Sequence, residues 1–184
     1  MEYSEAVSPI IERCRKGEKA AYYELYNLYA KAMLNVSIRI VIHKEEAEDV
    51  LQEAFLSAFQ NIHKFDGKFS FGAWLKRIVI NRSLDVLKKK KLNFISLDQT
   101  DYPEEQTNEN DDQINYDITV IKNGMQELPD GYRIIVSLYL FEEYSHKEIA
   151  EMLAIIEGTS KSKYSRARKK LVEIIRYKTS SHVR

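Results

Sequence analysis

The hydrophobic residues of this chain recur with the period of an α-helix over most of its length. Between Glu45 and Ile62 they fall at every third or fourth position and form one apolar face, made of Leu51, Ala54, Phe55, Ala58, Phe59 and Ile62. The pattern also predicts a long tyrosine-rich helix over residues 18–42 and a more apolar, more buried helix over residues 70–91. Only six glycines and three prolines interrupt 184 residues, which is too few turn signals for an all-β protein. We therefore predict an all-α fold.

The helical period stops in the middle of the chain. Residues 93–117 are polar and acidic, contain Pro103 and show no sustained periodicity, which is typical of a flexible linker. Helical patterning resumes near Ile118. The sequence thus predicts two small helical domains, at 1–92 and 118–178, joined by a linker at 93–117 and followed by a tail at 179–184.

The second predicted domain contains the pattern of a helix-turn-helix. Ser145 followed by Glu148 matches a capping box, so a helix is predicted to begin near His146. Its apolar face is Ile149, Met152 and Leu153. After a short break, Gly158 and Thr159 open a second helix, whose predicted buried stripe is Tyr164, Ala167, Leu171, Ile174 and Ile175. The opposite arc is polar and basic: Ser162, Lys163, Arg166, Lys169 and Lys170.

A basic second helix in this motif has two interpretations. In helix-turn-helix proteins the second helix enters the major groove of DNA, where positive charge attracts phosphates and side chains read base edges. The residues suited to base reading here are Lys161, Ser162 and Arg166. The alternative is a solvated basic face on an ordinary helix, and the pattern of this segment alone leaves it open.

Charge is segregated along the chain although the formal net charge is zero. Residues 72–92 carry seven bases and one acid, and residues 157–178 carry eight bases and two acids. Between them, residues 98–117 carry eight acids and no base. Such asymmetry predicts a nucleic-acid or acidic partner.

Two further helix faces are candidates for binding. The predicted helix at 70–91 carries a mixed polar stripe of Arg77, Asn81, Asp85 and Lys88, and asparagine can make paired hydrogen bonds to a base. The helix before it presents an acidic face made of Asp49, Gln52 and Glu53. That face indicates either a protein partner or a plain solvated surface; its periodicity does not decide between them.

The composition argues against an enzyme, a metal site or a membrane protein. There is no P-loop, no dinucleotide-binding glycine motif and no HExxH, and the four histidines (43, 63, 146 and 182) are scattered. The only cysteine, Cys14, excludes an intramolecular disulfide and suggests a reducing compartment. We expect no cofactor, no signal peptide, no membrane insertion and a cytoplasmic location.

Two segments together resemble the extracytoplasmic-function class of bacterial RNA polymerase sigma factors. Residues 47–91, "AEDVLQEAFLSAFQNIHKFDGKFSFGAWLKRIVINRSLDVLKKKK", resemble the second conserved region of that family. Residues 128–171, from "LPDGYRIIVSLYLFEEYSHKEIAEML" to "EGTSKSKYSRARKKL", resemble the fourth. Both segments occur in the family's order and spacing, and the linker stands where larger sigma factors have a third region.

The resemblance implies partners and roles. The partners are core RNA polymerase, through its β′ clamp helices and β flap, promoter DNA, and, as is common in the class, an anti-sigma factor. The face of Asp49, Gln52 and Glu53 would dock on the clamp helices. The loop His63–Phe71 and the following helix would bind the promoter's −10 element, with a flipped base held beside Asn81; the residues implied are Lys64, Phe65, Lys68, Phe69, Arg77, Asn81 and Lys88. The −35 element would be contacted by Thr159, Lys161, Ser162, Lys163, Ser165, Arg166 and Lys169.

One segment departs from the family pattern. The turn between the two helices is usually Gly-Ile-Ser, whereas here it is Ala154-Ile155-Ile156. Glycine adopts a positive φ without strain, and serine would cap the recognition helix. Losing both is expected to cost on the order of 1–2 kcal/mol locally.

A repressor or activator that binds DNA without joining polymerase is the alternative function, although such a protein needs neither the acidic face nor the Asn81 helix.

Overall fold

The protein is all-helical, as predicted. The computed structural model describes residues 2–90 and 118–181, and every regular element in those ranges is a helix or a helical turn. The elements are α1 (Glu2–Arg15), α2 (Lys19–Val41), α3 (Lys44–Gln60), a 3₁₀ turn (Ile62–Lys64), α4 (Phe71–Lys89), α5 (Ile118–Glu127), α6 (Asp130–Val136), a π-helical turn (Ser137–Phe141), α7 (His146–Leu153) and α8 (Glu157–Ser181). The chain divides into two compact units, Met1–Lys91 and Leu92–Arg184.

The N-terminal unit is a bundle in which α2, α3 and α4 pack against one another. Its largest fully buried side chains are aliphatic and include Leu25, Ile40, Val50, Leu75 and Ile80. The tyrosines of α2 pack on phenylalanines of α3: the ring centroids of Tyr22 and Phe59 and those of Tyr26 and Phe55 are both 4.8 Å apart. The tyrosine-rich pattern of α2 thus reflects helix packing.

Helix α1 was not predicted from the sequence. Val7, Ile11 and Cys14 are buried at helical spacing and pack the helix against α2, but Pro9 lies inside it and obscures the pattern. Burial raises the pKa of the Cys14 thiol to about 11, so the group remains a neutral core residue at physiological pH.

The C-terminal unit is built around α8, which packs against α5, α6 and α7. Its core contains Met125, Leu128, Val136 and Ala167, with Tyr164, Leu171 and Ile174 packed against it. This confirms the predicted buried stripe of the second helix. Helix α5 approaches α8 closely at Gly124, where a Cβ would lie 3.0 Å from Leu171 Cδ1.

The predicted boundaries are only partly covered by the described residues. The linker at 93–117 lies outside them, and so do residues 182–184 of the tail. The first three residues of the predicted tail, 179–181, belong to α8. Within the described ranges no helix combines the length and the apolarity that crossing a bilayer requires.

Candidate polymerase and promoter surfaces

The acidic face of α3 is exposed, as its periodicity predicted. Asp49, Gln52 and Glu53 are all exposed, while Leu51, Ala54, Phe55 and Ala58 are buried beneath them. Among the described residues these three side chains make no hydrogen bond or ion pair. The face is therefore available to a partner.

Two other acids of α3, Glu46 and Glu48, differ from that face because they are paired within the unit. Glu48 lies 3.5 Å from Lys44, and Glu46 pairs with Lys90 at the end of α4. One apolar residue joins the exposed face: Leu56 is 59 % exposed and lies one helical turn after Gln52 and Glu53. Leu56 was not predicted to belong to this face, although its position outside the buried stripe could have indicated that it is exposed.

The loop between α3 and α4 is held by contacts at both ends. The guanidinium of Arg15 on α1 donates to the backbone carbonyl of Phe65. The hydroxyl of Ser70 caps α4 by accepting from the backbone N–H of Ala73 at 3.2 Å. Between these points Asp66 accepts from the backbone N–H of Lys68 at 3.1 Å. The loop thus has a defined shape set partly by α1.

The aromatic residues of the loop divide into buried and exposed. Phe65 is only 8 % exposed and packs edge-on against Phe71 and tilted against Trp74, with centroids 5.6 and 5.5 Å away. Phe69 is 75 % exposed. Phe65 is therefore a wall of the site and not a surface stacking group, whereas Phe69 is open to a ligand. Trp74 packs in this cluster against Phe65 and Phe71.

Hydrogen bonding and charge affect one carboxyl in the loop. The pKa of Asp66 is lowered, first by the hydrogen bond from the backbone N–H of Lys68 and then by the Lys68 ammonium, 3.0 Å away. Lys64 and Lys68 are both exposed. The loop therefore keeps a positive edge with one fixed negative charge.

The polar stripe of α4 faces solvent. Arg77, Asn81, Asp85 and Lys88 are all exposed, and Leu75, Val79, Ile80, Leu84 and Leu87 form the buried side. Asn81 lies ten residues beyond Phe71, or about 15 Å along the helix axis at about 1.5 Å per residue. The structure therefore places Asn81 on the exposed face of α4, about three turns from the start of the helix.

The helix-turn-helix forms as predicted. Ser145 and Glu148 make a reciprocal capping box: the backbone N–H of Glu148 donates to the Ser145 hydroxyl at 3.3 Å, and the Ser145 N–H donates to the Glu148 carboxylate at 2.9 Å. Ala154 ends α7 in the left-handed conformation, with φ 54° and ψ 45°. The N–H of Ile155 donates to the carbonyl of Ala150 at 3.0 Å, and that of Ala154 to Glu151 at 3.4 Å, which together make a Schellman motif.

The unusual turn sequence thus keeps the geometry expected of the motif. Ala154 takes the positive φ that glycine would adopt without strain. Ile156 precedes α8, and its carbonyl accepts from the N–H of Ser160 at 3.2 Å. An isoleucine side chain offers no hydrogen bond to the first turn of α8, and Ile156 is 73 % exposed. The direction of α8 relative to α7 is therefore preserved, at a local cost in stability.

A cluster of rings and hydroxyls joins the two helices. The Nδ1 atom of His146 lies 3.0 Å from the Ser160 hydroxyl, and Tyr139 stacks on the imidazole with centroids 4.4 Å apart. Tyr164 packs on Tyr139 at 4.5 Å. The pKa of His146 is lowered by burial and by the nearby Lys161 cation, partly offset by Glu157. Only tertiary structure shows this cluster, because its members come from three elements.

The outer arc of α8 largely matches the prediction, with one correction. Lys161, Ser162, Ser165 and Lys169 are exposed, and Thr159 and Arg166 are half-buried. Lys163 was predicted on this arc but is 8 % exposed. It lies four residues before the buried Ala167 and three after the buried Ser160, so helix geometry turns it inward. The prediction that Lys163 is exposed was wrong.

Two side chains of this arc already have partners in the first turns of α8. Lys161 pairs with Glu157 at 2.7 Å, and this contact lowers the pKa of Glu157. The hydroxyl of Ser162 donates to the carbonyl of Thr159 at 3.1 Å. Binding of DNA through either side chain would replace or share these local contacts.

Comparison with known proteins identifies two family models in the chain. Residues 25–92 match "Sigma-70 region 2", and residues 120–171 match "Sigma-70, region 4". Helix α1 precedes the first match, and the last ten residues of α8 follow the second.

Curated relatives cover nearly the whole chain. The ECF RNA polymerase sigma factor SigW of Bacillus subtilis (strain 168) is 32% identical over an alignment of 177 residues, and the match covers 90% of this chain and 95% of that protein. The RNA polymerase sigma-H factor of Pseudomonas aeruginosa is 28% identical over 86% of this chain and 88% of its own length.

Solved structures support the same fold. A Bartonella quintana structure of the sigma factor RpoE with the anti-sigma factor NepR has a TM-score of 0.57 at 22% identity, covering 84% of this chain and 96% of that one. CnrH in complex with the cytosolic domain of CnrY has a TM-score of 0.55 at 20% identity, covering 91% and 96%. With both sigma-70 regions and a 32% identical relative over most of its length, this chain belongs to the extracytoplasmic-function class of the sigma-70 family of RNA polymerase sigma factors.

Proposed function

We propose that this protein joins core RNA polymerase as a dissociable subunit, directs it to promoters and helps to open the DNA. The observation that carries this proposal is the presence of one unpaired acidic face and two basic DNA-type faces in a single chain. A repressor or activator that acts without polymerase has no evident need for the acidic face, and family membership does not favour it.

Core docking is assigned to the face of Asp49, Gln52, Glu53 and Leu56. Its two carboxylates have no internal partner among the described residues, so a basic surface can pair with them without breaking existing bonds. Leu56 adds an apolar contact beside the charges, a combination typical of protein interfaces. We assign this surface to the β′ clamp helices.

The −10 element is assigned to the loop after α3 and to the exposed stripe of α4. Phe69 supplies an exposed ring for stacking on an unpaired base, and Lys64 and Lys68 supply charge for phosphates. Arg77, Asn81 and Lys88 continue this surface along α4. The loop His63–Phe71 together with Asn81 would hold a flipped base of this element.

The −35 element is assigned to the outer arc of α8. These six side chains are exposed or half-buried on one arc of α8, so we assign Lys161, Ser162, Ser165 and Arg166 to the major groove and Thr159 and Lys169 to phosphates. Lys163 is removed from this group because it is buried. The Schellman turn at Ala154 supports the assignment because it keeps α7 and α8 in helix-turn-helix geometry.

Two further partners and a location belong to the proposal. We assign the C-terminal unit to the β flap, and we propose that an anti-sigma factor regulates the protein, as the solved RpoE structure contains one. The protein would act in the cytoplasm, where the polymerase is, and by binding alone without an enzymatic reaction of its own.

Reversal of the acidic face tests the proposal. In Asp49→Lys/Glu53→Lys the two side chains remain four residues apart and mutually repulsive, so folding should change little. Against a basic partner, attraction becomes like-charge repulsion, which can cost several kcal/mol. We expect the affinity for core polymerase, followed by co-elution, and the yield of promoter-specific transcripts to fall at least about a hundredfold. The helical content and the affinity for −35 duplex should be unchanged.

The matched control reverses two exposed acids away from this face, Glu151→Lys/Glu173→Lys, and changes the net charge equally. It should bind core polymerase like the wild type. If the folded α3 variant binds core with unchanged affinity, the docking assignment fails and the repressor alternative regains support.

A further inference from the structure

An exposed isoleucine stands at the point where the turn of the helix-turn-helix enters its second helix. Ile156 immediately precedes the first residue of α8, Glu157. It is 73 % exposed, which is the highest exposure among the described leucine and isoleucine residues. The side chain therefore contributes little to the packing of the C-terminal unit.

This position favours a polar residue in a free protein. The residue before a helix stabilises it when a side-chain oxygen accepts a hydrogen bond from a backbone N–H of the first turn, so Ser, Thr, Asp and Asn are preferred. Helix α7 follows this rule, because Ser145 caps it. Isoleucine has no acceptor, and its exposure to water adds a further cost. A residue that breaks a local rule at such a place indicates a role in a complex.

The first turn of α8 leaves room for an external surface beside Ile156. Gly158 is exposed, and a Cβ at this position would have no described atom within 4 Å. Glycine lowers the stability of a helix relative to alanine, and neither a positive φ nor a close internal contact requires it here. Its missing side chain allows another molecule to approach the end of the helix closely.

The charges next to Ile156 offset each other. The Glu157 carboxylate lies 2.7 Å from the Lys161 ammonium, one helical turn further along α8. The segment that contains Ile156 is thus locally neutral and apolar, unlike the basic arc that follows it. Such a surface suits an apolar group of the DNA better than a phosphate.

We propose that Ile156 packs on the C5 methyl group of one thymine in the −35 element and determines the base preference at that position. In helix-turn-helix complexes the N-terminal residues of the second helix contact base edges in the major groove, where the thymine methyl is the apolar group that base pairs present. The inference rests on the proposed function, since that function brings α8 to the −35 duplex. It adds an apolar contact to the polar and charged side chains assigned to the outer arc of α8.

A surface isoleucine without a role is the competing explanation. Single exposed apolar residues are common on soluble proteins, and most need no partner. Ile156 differs from them because it occupies a capping position, lies beside the open space at Gly158 and precedes the helix assigned to the major groove. These three observations point to the same surface of the DNA.

Deoxyuridine scanning tests the contact, because deoxyuridine lacks only the C5 methyl group of thymidine. The full-length protein is assembled with core polymerase and bound to a promoter mapped from the wild-type protein's own run-off transcripts. Each −35 thymine of either strand is replaced in turn. Ile156→Ser and Ile156→Ala remove the apolar side chain with and without adding a hydroxyl. Leu140→Ser is the matched control, since it replaces another exposed aliphatic residue, on the π-helical turn.

We expect the affinity of the wild type to fall about fourfold at one thymine, the change expected when one methyl group is lost from an apolar contact. Ile156→Ser and Ile156→Ala should show no fall at that position, whereas Leu140→Ser should keep the fourfold fall. Unchanged wild-type affinity for every deoxyuridine duplex overturns the proposal. A fourfold fall that persists in both Ile156 variants also overturns it, because another side chain then contacts the methyl group.

Thermal unfolding separates a base contact from an effect on the shape of α8. Serine supplies a cap, so Ile156→Ser should unfold at a higher temperature than the wild type while it loses the discrimination. A discrimination that changes at every −35 thymine overturns the proposal, because the whole helix has then moved. Failure of the proposed function would appear in the wild-type protein itself, as absence of core binding or of promoter-specific transcripts.

Discussion

The left-handed residue at the end of α7 allows a quantitative prediction. Ala154 has φ 54°, where an L residue with a Cβ is strained by about 1–2 kcal/mol and glycine is not. Glycine also has more freedom in the unfolded chain, which costs about 0.4–1 kcal/mol in stability. Ala154→Gly should therefore stabilise the C-terminal unit by about 0.5–1 kcal/mol, or raise its melting temperature by about 4 °C.

The prediction is checked by thermal unfolding of the full chain, with amide NMR signals of residues 146–178 followed as the temperature rises. Signals of α2–α4 serve as the internal reference and should melt unchanged. Glu151→Gly is the matched control, because it places glycine at an exposed right-handed position of α7 and should destabilise by about 1 kcal/mol. If Ala154→Gly lowers stability as Glu151→Gly does, the left-handed turn is not the conformation of this chain in solution.

Three further predictions concern DNA binding and pH. Arg166→Ala should cost about 1–3 kcal/mol of DNA-binding free energy and relax the sequence preference at one −35 base pair. Lys169→Ala should lower the affinity for all DNA sequences alike and reduce the slope of log affinity against log salt concentration by about one unit. If Arg166→Ala lowered the affinity for every sequence equally, base reading by Arg166 would be contradicted. Neutralising the eight acids of residues 98–117 should raise DNA binding by the free protein at low salt, and unchanged binding would leave that segment a spacer. Because the pKa of His146 is lowered in the fold, its contribution to stability is fully present above the unfolded pKa of about 6.5 and is lost as pH falls from there through the lower folded pKa. Denaturant titrations should show this loss, and His146→Gln should remove it.

The fold and the exposure of the candidate binding faces were predictable where helical periodicity is strong. The exposed face of Asp49, Gln52 and Glu53 follows from the apolar stripe beside it, and the start of α7 follows from the Ser145–Glu148 capping box. Local sequence determines both features, so no tertiary information was needed.

The features that were missed depend on packing or on conflicting signals. Pro9 concealed α1, although Val7, Ile11 and Cys14 were spaced for it. Lys163 was placed on the arc opposite the apolar stripe, while its position relative to Ala167 turns it inward. The stacking of Tyr139 on His146 joins residues of two elements, and no local pattern encodes such a contact.

The position of the single tryptophan has a spectroscopic consequence. Trp74 is the only tryptophan in the chain, and its indole packs against Phe65 and Phe71 at the base of the loop. Because nothing else in the protein emits like an indole, intrinsic fluorescence reports selectively on this loop. A strand that enters beside Phe69 would change the polarity around the indole or quench it by stacking nearby. Promoter engagement by the free protein can therefore be followed in real time without an attached dye.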